Sequence, residues 1–317
     1  MSIKRKNRYI LSHMTETAMR NQLRAVLLLL FLASILPSLV WAQDMSAVEI
    51  TTTKITDSIY MLQGAGGNIA VCVGEDGTFI VDDQFAPLTE KIKIAIAAIT
   101  PHQVQFVINT HWHYDHTDGN ENLGGEGAII VSHENSRERM EVEQFIALAG
   151  RRQEPYSSAG LPKITFTESM RFHYNGETID IVHFGPAHTD GDAVVRFSEA
   201  NVLHTGDVFV RYVFPFIDEP NGGSISGMIE FVERLIDMVD EETRIIPGHG
   251  PISSKQDMVA FVEMLRTIRG RVQSLIDAGR NLEEIITADP TRGYEGSQFV
   301  ARDDFVKIVY DSLRRER

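Results

Sequence analysis

Along the first third of the chain, apolar and polar positions alternate in short runs bounded by glycine and aspartate. Ser58–Leu62, Ile69–Val73 and Thr78–Val81 have this form and predict the strands of a meander. The period then lengthens. Ile92, Ala95, Ile96 and Ile99 share one helical face, with Thr89 placed to cap the helix and Pro101 to stop it. Val104–Ile108 is a short continuous apolar run, the pattern of a buried strand. Ala128–Val131 predicts another strand and Glu134–Ala149 a helix. Further strands are predicted at Met170–Tyr174, Thr178–Phe184, Ala193–Phe197, Asn201–His204 and Thr243–Ile246. A helix carrying Ile229, Val232, Leu235, Ile236 and Val239 precedes the last of them, and Ser224 or Ser226 is placed to cap it. Two successive blocks of strands, each with helices, predict an α/β fold of two packed sheets with helices outside.

Beyond Pro251 the pattern is helical. Met258, Phe261, Val262, Leu265, Ile268, Val272 and Leu275 keep helix spacing, and Gly279 supplies the C-terminal cap. A second amphipathic piece holds Phe305, Ile308, Val309 and Leu313. The chain thus divides into residues 43–252 and a helical extension, 253–317, packed on the domain or serving as an oligomer contact.

Residues 1–42 differ in character. Lys4, Arg5, Lys6, Arg8, Arg20 and Arg24 oppose only Glu16; Ala25–Leu36 is an apolar stretch, and Val40-Trp41-Ala42 offers small residues where a signal peptidase reads. This is the form of a secretory signal peptide cleaved after Ala42, with Met19 as an alternative start. A membrane span needs about 20 apolar residues, so the mature protein is expected to be periplasmic or secreted, without a membrane span. With 44 acidic against 30 basic residues, and a more acidic balance once the leader is gone, no nucleic-acid partner is expected. Cys72 is the single cysteine, which excludes a disulfide framework and cysteine-rich metal clusters. It reads as a small buried apolar side chain.

The chemistry concentrates in Asn109-Thr110-His111-Trp112-His113-Tyr114-Asp115-His116-Thr117-Asp118-Gly119, directly after a buried strand. Imidazole and carboxylate suit zinc. Alternate residues of an extended segment point the same way, so His111 and His113 can meet one ion, and after the turn Asp115 and His116 can serve a second. Three later strand ends each add a donor: His188 in Gly185-Pro186-Ala187-His188-Thr189, Asp207 in His204-Thr205-Gly206-Asp207, and His249 in Pro247-Gly248-His249-Gly250. His102 reads as a loop residue; His133, His173, His183 and His204 read as structural. Gly64-Ala65-Gly66-Gly67-Asn68 is a flexible turn with two readings, an overhang of the site or, the better of the two, a plain hairpin turn. Arg151–Lys163 and Arg211–Gly223, the latter with Tyr212, Phe214, Pro215 and Phe216, are loops placed to shape a pocket.

From about Ile50 to Pro251 the chain resembles the metallo-β-lactamase superfamily. The resemblance implies an αβ/βα sandwich of two mixed sheets with the metal site at one edge. It implies a first zinc on His111, His113 and His188, a second on Asp115, His116 and His249, Asp207 bridging both, and Asp82 as a buttress behind them. A hydroxide between the two Zn2+ ions would attack, oriented by Asp115. Zinc-dependent lactamases of the best-known kind carry cysteine, and others serine, where this chain has Asp207, and the cysteine forms often place lysine three positions on, where Val210 stands next to Arg211. The aspartate form is similar to hydroxyacylglutathione hydrolases and lactonases, and its harder donors admit Mn2+ or Fe2+ in place of zinc. The function implied is an exported dinuclear zinc hydrolase of a small-molecule cyclic amide, ester or thioester. β-Lactamase-like cleavage ranks first, lactone or thioester hydrolysis second and phosphodiester cleavage third. The rival of another class is a non-catalytic periplasmic accessory protein that binds metal and docks a partner through its C-terminal helices.

Overall fold

The computed structural model describes residues 45–212, 214–294 and 299–316. The expected leader Met1–Ala42, its cleavage point and the alternative start lie outside the described residues. The alternating runs fold as antiparallel strands β1 (Thr51–Lys54), β2 (Ile59–Gln63), β3 (Ile69–Gly74) and β4 (Gly77–Val81). Helix α1 (Thr89–Ala97) then carries the chain over to β5 (Val104–Ile108), parallel to β4. Two short helices, α2 (Tyr114–Thr117) and α3 (Asn120–Gly125), lead to β6 (Ile129–His133), again parallel. Helix α4 (Glu134–Met140) and a hairpin of β7 (Gln144–Ile146) and β8 (Arg151–Gln153) intervene before β9 (Ile164–Phe166) completes the sheet, in the order β1-β2-β3-β4-β5-β6-β9.

The second sheet runs β10 (Ser169–Tyr174), β11 (Glu177–Val182), β12 (Val194–Phe197), β13 (Val202–His204) and β14 (Arg244–Ile246) in sequence order. It is antiparallel until α5 (Ile225–Met238) crosses over and makes β14 parallel to β13. Helices α6 (Lys255–Asp277), α7 (Leu282–Thr287) and α8 (Arg302–Arg315) follow.

The period-two pattern decides the layers. Met61, Cys72, Phe79, Val81 and Ile108 of the first sheet meet Ile179, Ile181, Val195 and Phe197 of the second. On the opposite face of the first sheet, Leu62, Val71, Ile80 and Val107 pack under Ile92 and Ile96 of α1. Outside the second sheet, Val194, Leu203 and Ile245 pack under α5 and α6. This is the αβ/βα sandwich. Cys72 lies in the central layer, where burial pushes its thiol up to about 12. The C-terminal helices place Met258, Leu265, Ile268, Phe305 and Val309 in the same apolar layer as α5. No helix among the described residues is long and apolar enough to cross a membrane.

Three local expectations change. The helix expected over Glu134–Ala149 stops at Met140, because Ile146 turns inward while Phe145 turns out, a strand alternation closed by Gly150 at φ +57°. Thr89 does not cap α1. A 3-10 turn over Ala86–Leu88 already has the chain in helical conformation, so Leu88 takes the cap position and the Thr89 hydroxyl accepts from Asn122 Nδ2 at 3.0 Å. Strands β1 and β9 and helix α7, short and partly exposed, have no counterpart in the predicted elements. Elsewhere the local chemistry acts as expected. Ser224 caps α5 by accepting from Gly227 N at 3.0 Å, and Gly279, at φ +76°, ends α6.

Candidate metal centre

Strands β4, β5, β13 and β14 end at one edge of the sandwich, and the β11–β12 loop reaches the same edge. Loops after parallel strands converge there. Asp82 follows β4, His111 to His116 follow β5, His188 lies between β11 and β12, Asp207 sits in a 3-10 turn after β13, and His249 follows β14. All seven donors expected from the sequence come together at this edge, in three overlapping groups.

The inner group is His111, His113 and His188, all buried. Each ring spends one nitrogen on the protein and turns the other inward. Thr110 Oγ1 donates to Asp82 Oδ2 at 2.8 Å, so its lone pair accepts from His111 Nδ1 at 3.0 Å. His113 Nε2 donates to Asp218 Oδ2 at 2.9 Å, and His188 Nδ1 donates to the Phe216 carbonyl at 2.8 Å. The protons are thereby placed outward. His113 Nδ1 and His188 Nε2 face each other at 2.8 Å as two lone pairs, and His111 Nε2 is buried with no hydrogen-bond partner. Three converging lone pairs without a donor are what a cation binds.

The outer group is Asp115, His116 and His249, with Asp115 and His249 about one-fifth exposed. His116 Nδ1 donates to Asp82 Oδ2 at 2.8 Å, and its Nε2 lies 3.2 Å from His249 Nε2. His249 Nε2 is 3.2 Å from Asp115 Oδ2. Asp207 spans both groups: Oδ1 is 3.2 Å from His116 Nε2 and 3.5 Å from His249 Nε2, while Oδ2 is 3.8 Å from His188 Nε2. These are ion-pair distances, but Oδ1 has no aligned donor.

The electrostatics of the two groups differ in sign. Burial, then the neighbouring His116, His188 and His113, push His111 well below its usual value, and burial followed by His113 lowers His188. Burial also opposes charge on His249 and His116, but the Asp207 and Asp115 carboxylates outweigh it; His249 rises to about 9 and His116 well above its usual value. The carboxylates of the outer group thus favour positive charge on the facing imidazoles. A divalent cation can supply that charge in place of protons, so the donor set fits metal in both groups.

Asp82 acts behind both. Besides its bonds to His116 and the Thr110 hydroxyl, it accepts from Thr110 N at 2.7 Å. It does so from a left-handed conformation, φ +64°, that aspartate tolerates better than most residues. Sequence reasoning did not single out Asp218, which fixes His113, or Asp192. The latter accepts from His188 N at 2.6 Å and Thr189 N at 2.9 Å. Neither stands in a motif. The turn Gly64–Asn68 is more than a hairpin turn. It lies against the outer group, where a Cβ on Gly67 would overlap the His116 ring and Gly67 N donates to the Asp115 carbonyl at 3.0 Å. His204 is structural, its Nε2 donating to the Asn68 carbonyl at 2.9 Å.

The loop that carries Phe216 and Asp218 is tied to α8. Phe214 stacks on Phe305 at 4.8 Å, Arg315 Nε pairs with Glu219 at 2.7 Å, and Ser224 Oγ donates to Glu316 at 2.8 Å. Around His249, Tyr212 lies 5.6 Å ring to ring, and Phe299 lies 5.2 Å from Tyr212. Val210 is buried, and the Arg211 guanidinium pairs with Asp257 at 2.5 Å.

The family model of the metallo-beta-lactamase superfamily matches residues 63–250. The beta-lactamase-like protein 2 homolog of Caenorhabditis elegans is 23% identical over 300 residues, which covers 89% of this chain and 90% of that protein. Among solved structures, the DIM-1 metallo-beta-lactamase superposes with a TM-score of 0.57 at 17% identity, over 69% of this chain and 99% of that one. The metallo-beta-lactamase from Pontibacter korlensis gives 0.56 at 19% identity with the same coverage. A double mutant of the sec-alkyl sulfatase PisA1 gives 0.64 at 13% identity, over 83% of this chain and 50% of that one. At these identities the structural likeness is one of fold.

Proposed function

This chain belongs to the metallo-beta-lactamase superfamily, and on that premise we propose that it is an exported dinuclear zinc hydrolase cleaving a small cyclic amide, ester or thioester, with β-lactamase-like activity ranked first. The observation that carries the reading is the pair of donor groups joined by Asp207. His111, His113 and His188 would hold one ion, Asp115, His116 and His249 a second, and Asp207 lies between the two groups as the residue that would serve both. Five imidazoles and two carboxylates suit zinc, and the absence of a thiolate admits Mn2+ or Fe2+. When bound, such a pair supplies Lewis acidity and a water that ionises near neutral pH. The carboxylate of Asp115, held against the cost of burial down to about 2 by the His116 and His249 imidazoles, is ionised at neutral pH and would orient the attacking water and help move its proton. His116, braced by Asp82, keeps its Nε2 turned toward the site. Phe216, stacked on the His113 ring at 5.7 Å, keeps water from the back of the inner group.

The signal-peptide reading of Met1–Ala42 places the mature enzyme in the periplasm or outside the cell, and the domain boundary is proposed at residue 252. One observation favours the second-ranked substrates, lactones and thioesters. Arg211, the cation nearest in sequence to Asp207 on its C-terminal side, is engaged by Asp257 and does not offer itself to a substrate carboxylate. The test is hydrolysis of a chromogenic cephalosporin by the zinc-loaded protein beside an Asp207→Ala control. A rate lost in the control establishes the lactamase. No rate above background moves lactones and thioesters to first place. Two bound zincs with no turnover across the whole panel favour the accessory protein.

A further inference from the structure

The hairpin of β7 and β8 runs beside the segment that carries the donors. Gln153 of β8 donates from Nε2 to the Trp112 carbonyl at 3.1 Å. Two residues earlier, on the same face of the strand, the Arg151 guanidinium lies over the Tyr114 ring, 3.7 Å from its centre. Going back along β8 from Gln153 to Arg151 thus goes forward along the donor segment from Trp112 to Tyr114, towards Asp115. The other strand is tied to the residue that fixes His113: Asn221 Nδ2 donates to the Phe145 carbonyl at 3.3 Å and to Asp218 Oδ2 at 2.9 Å. Tyr114 itself is held by Phe85, ring to ring at 5.7 Å. Phe85 in turn abuts Gly66, where an added Cβ would stand 2.4 Å from the Asp115 carbonyl. Arg151 therefore rests on a fixed platform at the outer-group end of the site. Unlike Arg211, which Asp257 engages at 2.5 Å, it is not closed off by a carboxylate. Asp118 Oδ2 stands 4.0 Å from its Nη2, beyond hydrogen-bond distance, and 44% of the Arg151 side chain is exposed. A guanidinium stacked by its face on a ring keeps the N–H donors of its edge for a planar oxyanion.

We propose that Arg151, seated on Tyr114, is a specificity-determining residue that takes a free carboxylate of the substrate, so that the preferred substrates are monoanions. The inference rests on the hydrolase reading for the reaction, but the recognition itself is a statement about binding. Two parallel N–H bonds from one guanidinium fit one carboxylate. With the Asp118 charge standing nearby, a single cation suits a monoanion better than a dianion.

The test measures binding first, with ligands that differ only in that carboxylate. The full-length zinc-loaded protein is titrated calorimetrically with mercaptopropionate and with mercaptopropionamide, whose shared thiol is a soft donor for the metal. About a tenfold preference for the acid is expected, and it shrinks as salt is added. Arg151→Met reduces the preference to less than about threefold, with zinc content unchanged. Arg151→Lys, which keeps the charge but not the fork, retains part of it. Arg152→Met, on the opposite face of β8 and paired with Glu143, leaves it intact. Equal binding of the two ligands by the unaltered protein, or binding of neither, overturns the proposal, as does a preference that survives Arg151→Met. Turnover of nitrophenyl hydrogen succinate and of its methyl ester separates the two readings. An Arg151-dependent preference in binding with no turnover of either ester sinks the hydrolase and keeps the carboxylate site. Turnover of both esters at a ratio unchanged by Arg151→Met does the reverse.

Discussion

The inner and outer donor groups share Asp207 but are built on different principles. In the inner group every ring is buried and has its outward nitrogen fixed by a hydrogen bond: His113 by Asp218 and His188 by Phe216, both distant in the chain, and His111 by the adjacent Thr110. In the outer group His116 is fixed by Asp82, while Asp115 and His249 stand about one-fifth exposed and face each other through charge. The first is organised by hydrogen bonds that survive without metal. The second is organised by opposite charges that a metal would replace. The difference teaches that an ion bound by the inner group would enter a formed cage, whereas one bound by the outer group would replace protons and charge contacts, so on the proposed two-ion reading the inner ion is expected to be held longer and the outer one to exchange first.

Removing the shared residue has the largest effect. Asp207→Ala is expected to reduce turnover by about 10^3-fold or more and to lower bound zinc below two per chain, measured by steady-state kinetics and metal analysis. If two zincs remain, Asp207 does not join the groups. His249→Ala sharpens the comparison next: one zinc per chain is retained after dialysis against a weak chelator, whereas His113→Ala in the buried cage loses the more tightly held ion. Equal losses from both variants break the asymmetry. Asp218→Ala removes the partner of His113 and is expected to weaken inner-ion affinity about 10–100-fold, as read by competition with a chromogenic chelator, with the outer ion little changed.

The pH dependence of the metal-free protein separates the groups by sign. His249 is raised from 6.5 to about 9 in the fold, so its stabilisation is complete below pH 6.5 and fades as pH rises toward 9. His111 and His188 are lowered, so the unfolded chain takes up protons that the fold resists, and stability falls as pH drops through 6.5. The metal-free Tm is expected to decline on both sides, and zinc to flatten the alkaline limb by displacing the His249 proton. A metal-free Tm that does not change between pH 6.5 and 9 contradicts the charge-built outer group. The smallest effect belongs to the brace: Arg315→Ala, which frees Glu219 and loosens the Phe216–Asp218 loop, is expected to weaken inner-ion affinity by only a few-fold, since a partly exposed ion pair contributes about 0–1 kcal/mol.

Much of this architecture is legible in local pattern. The alternation in Ile69–Val73 and Thr78–Val81 identifies strands because only a period of two puts Cys72 and Phe79 inward together. The continuous run Val104–Ile108 marks a strand, and the strand does end at Ile108, just before the segment that carries His111. Pattern fails where burial and sequence period disagree. Over Glu134–Ala149 a helix is equally compatible with the spacing, and only the inward turn of Ile146 against the outward Phe145 selects the hairpin. Thr89 looks like a cap until the preceding turn is seen to be helical already.

The same division runs through the site. Residue type and strand-end position by themselves mark His111, His113, Asp115 and His116 as candidate donors, because they stand close together in the chain and need no distant partner to be recognised. The expectation of a cleaved leader over Met1–Ala42 likewise rests on residue type alone. Only the tertiary structure decided that Asp218, 105 residues from His113, orients that ring, that the Gly67 turn presses on His116, and that Phe299 stands beside Tyr212. A single aspartate or phenylalanine in a loop carries no period and no motif. Its role is set by which remote backbone the folded layers bring within hydrogen-bond or van der Waals reach, and that is a property of the packing rather than of any local stretch of chain.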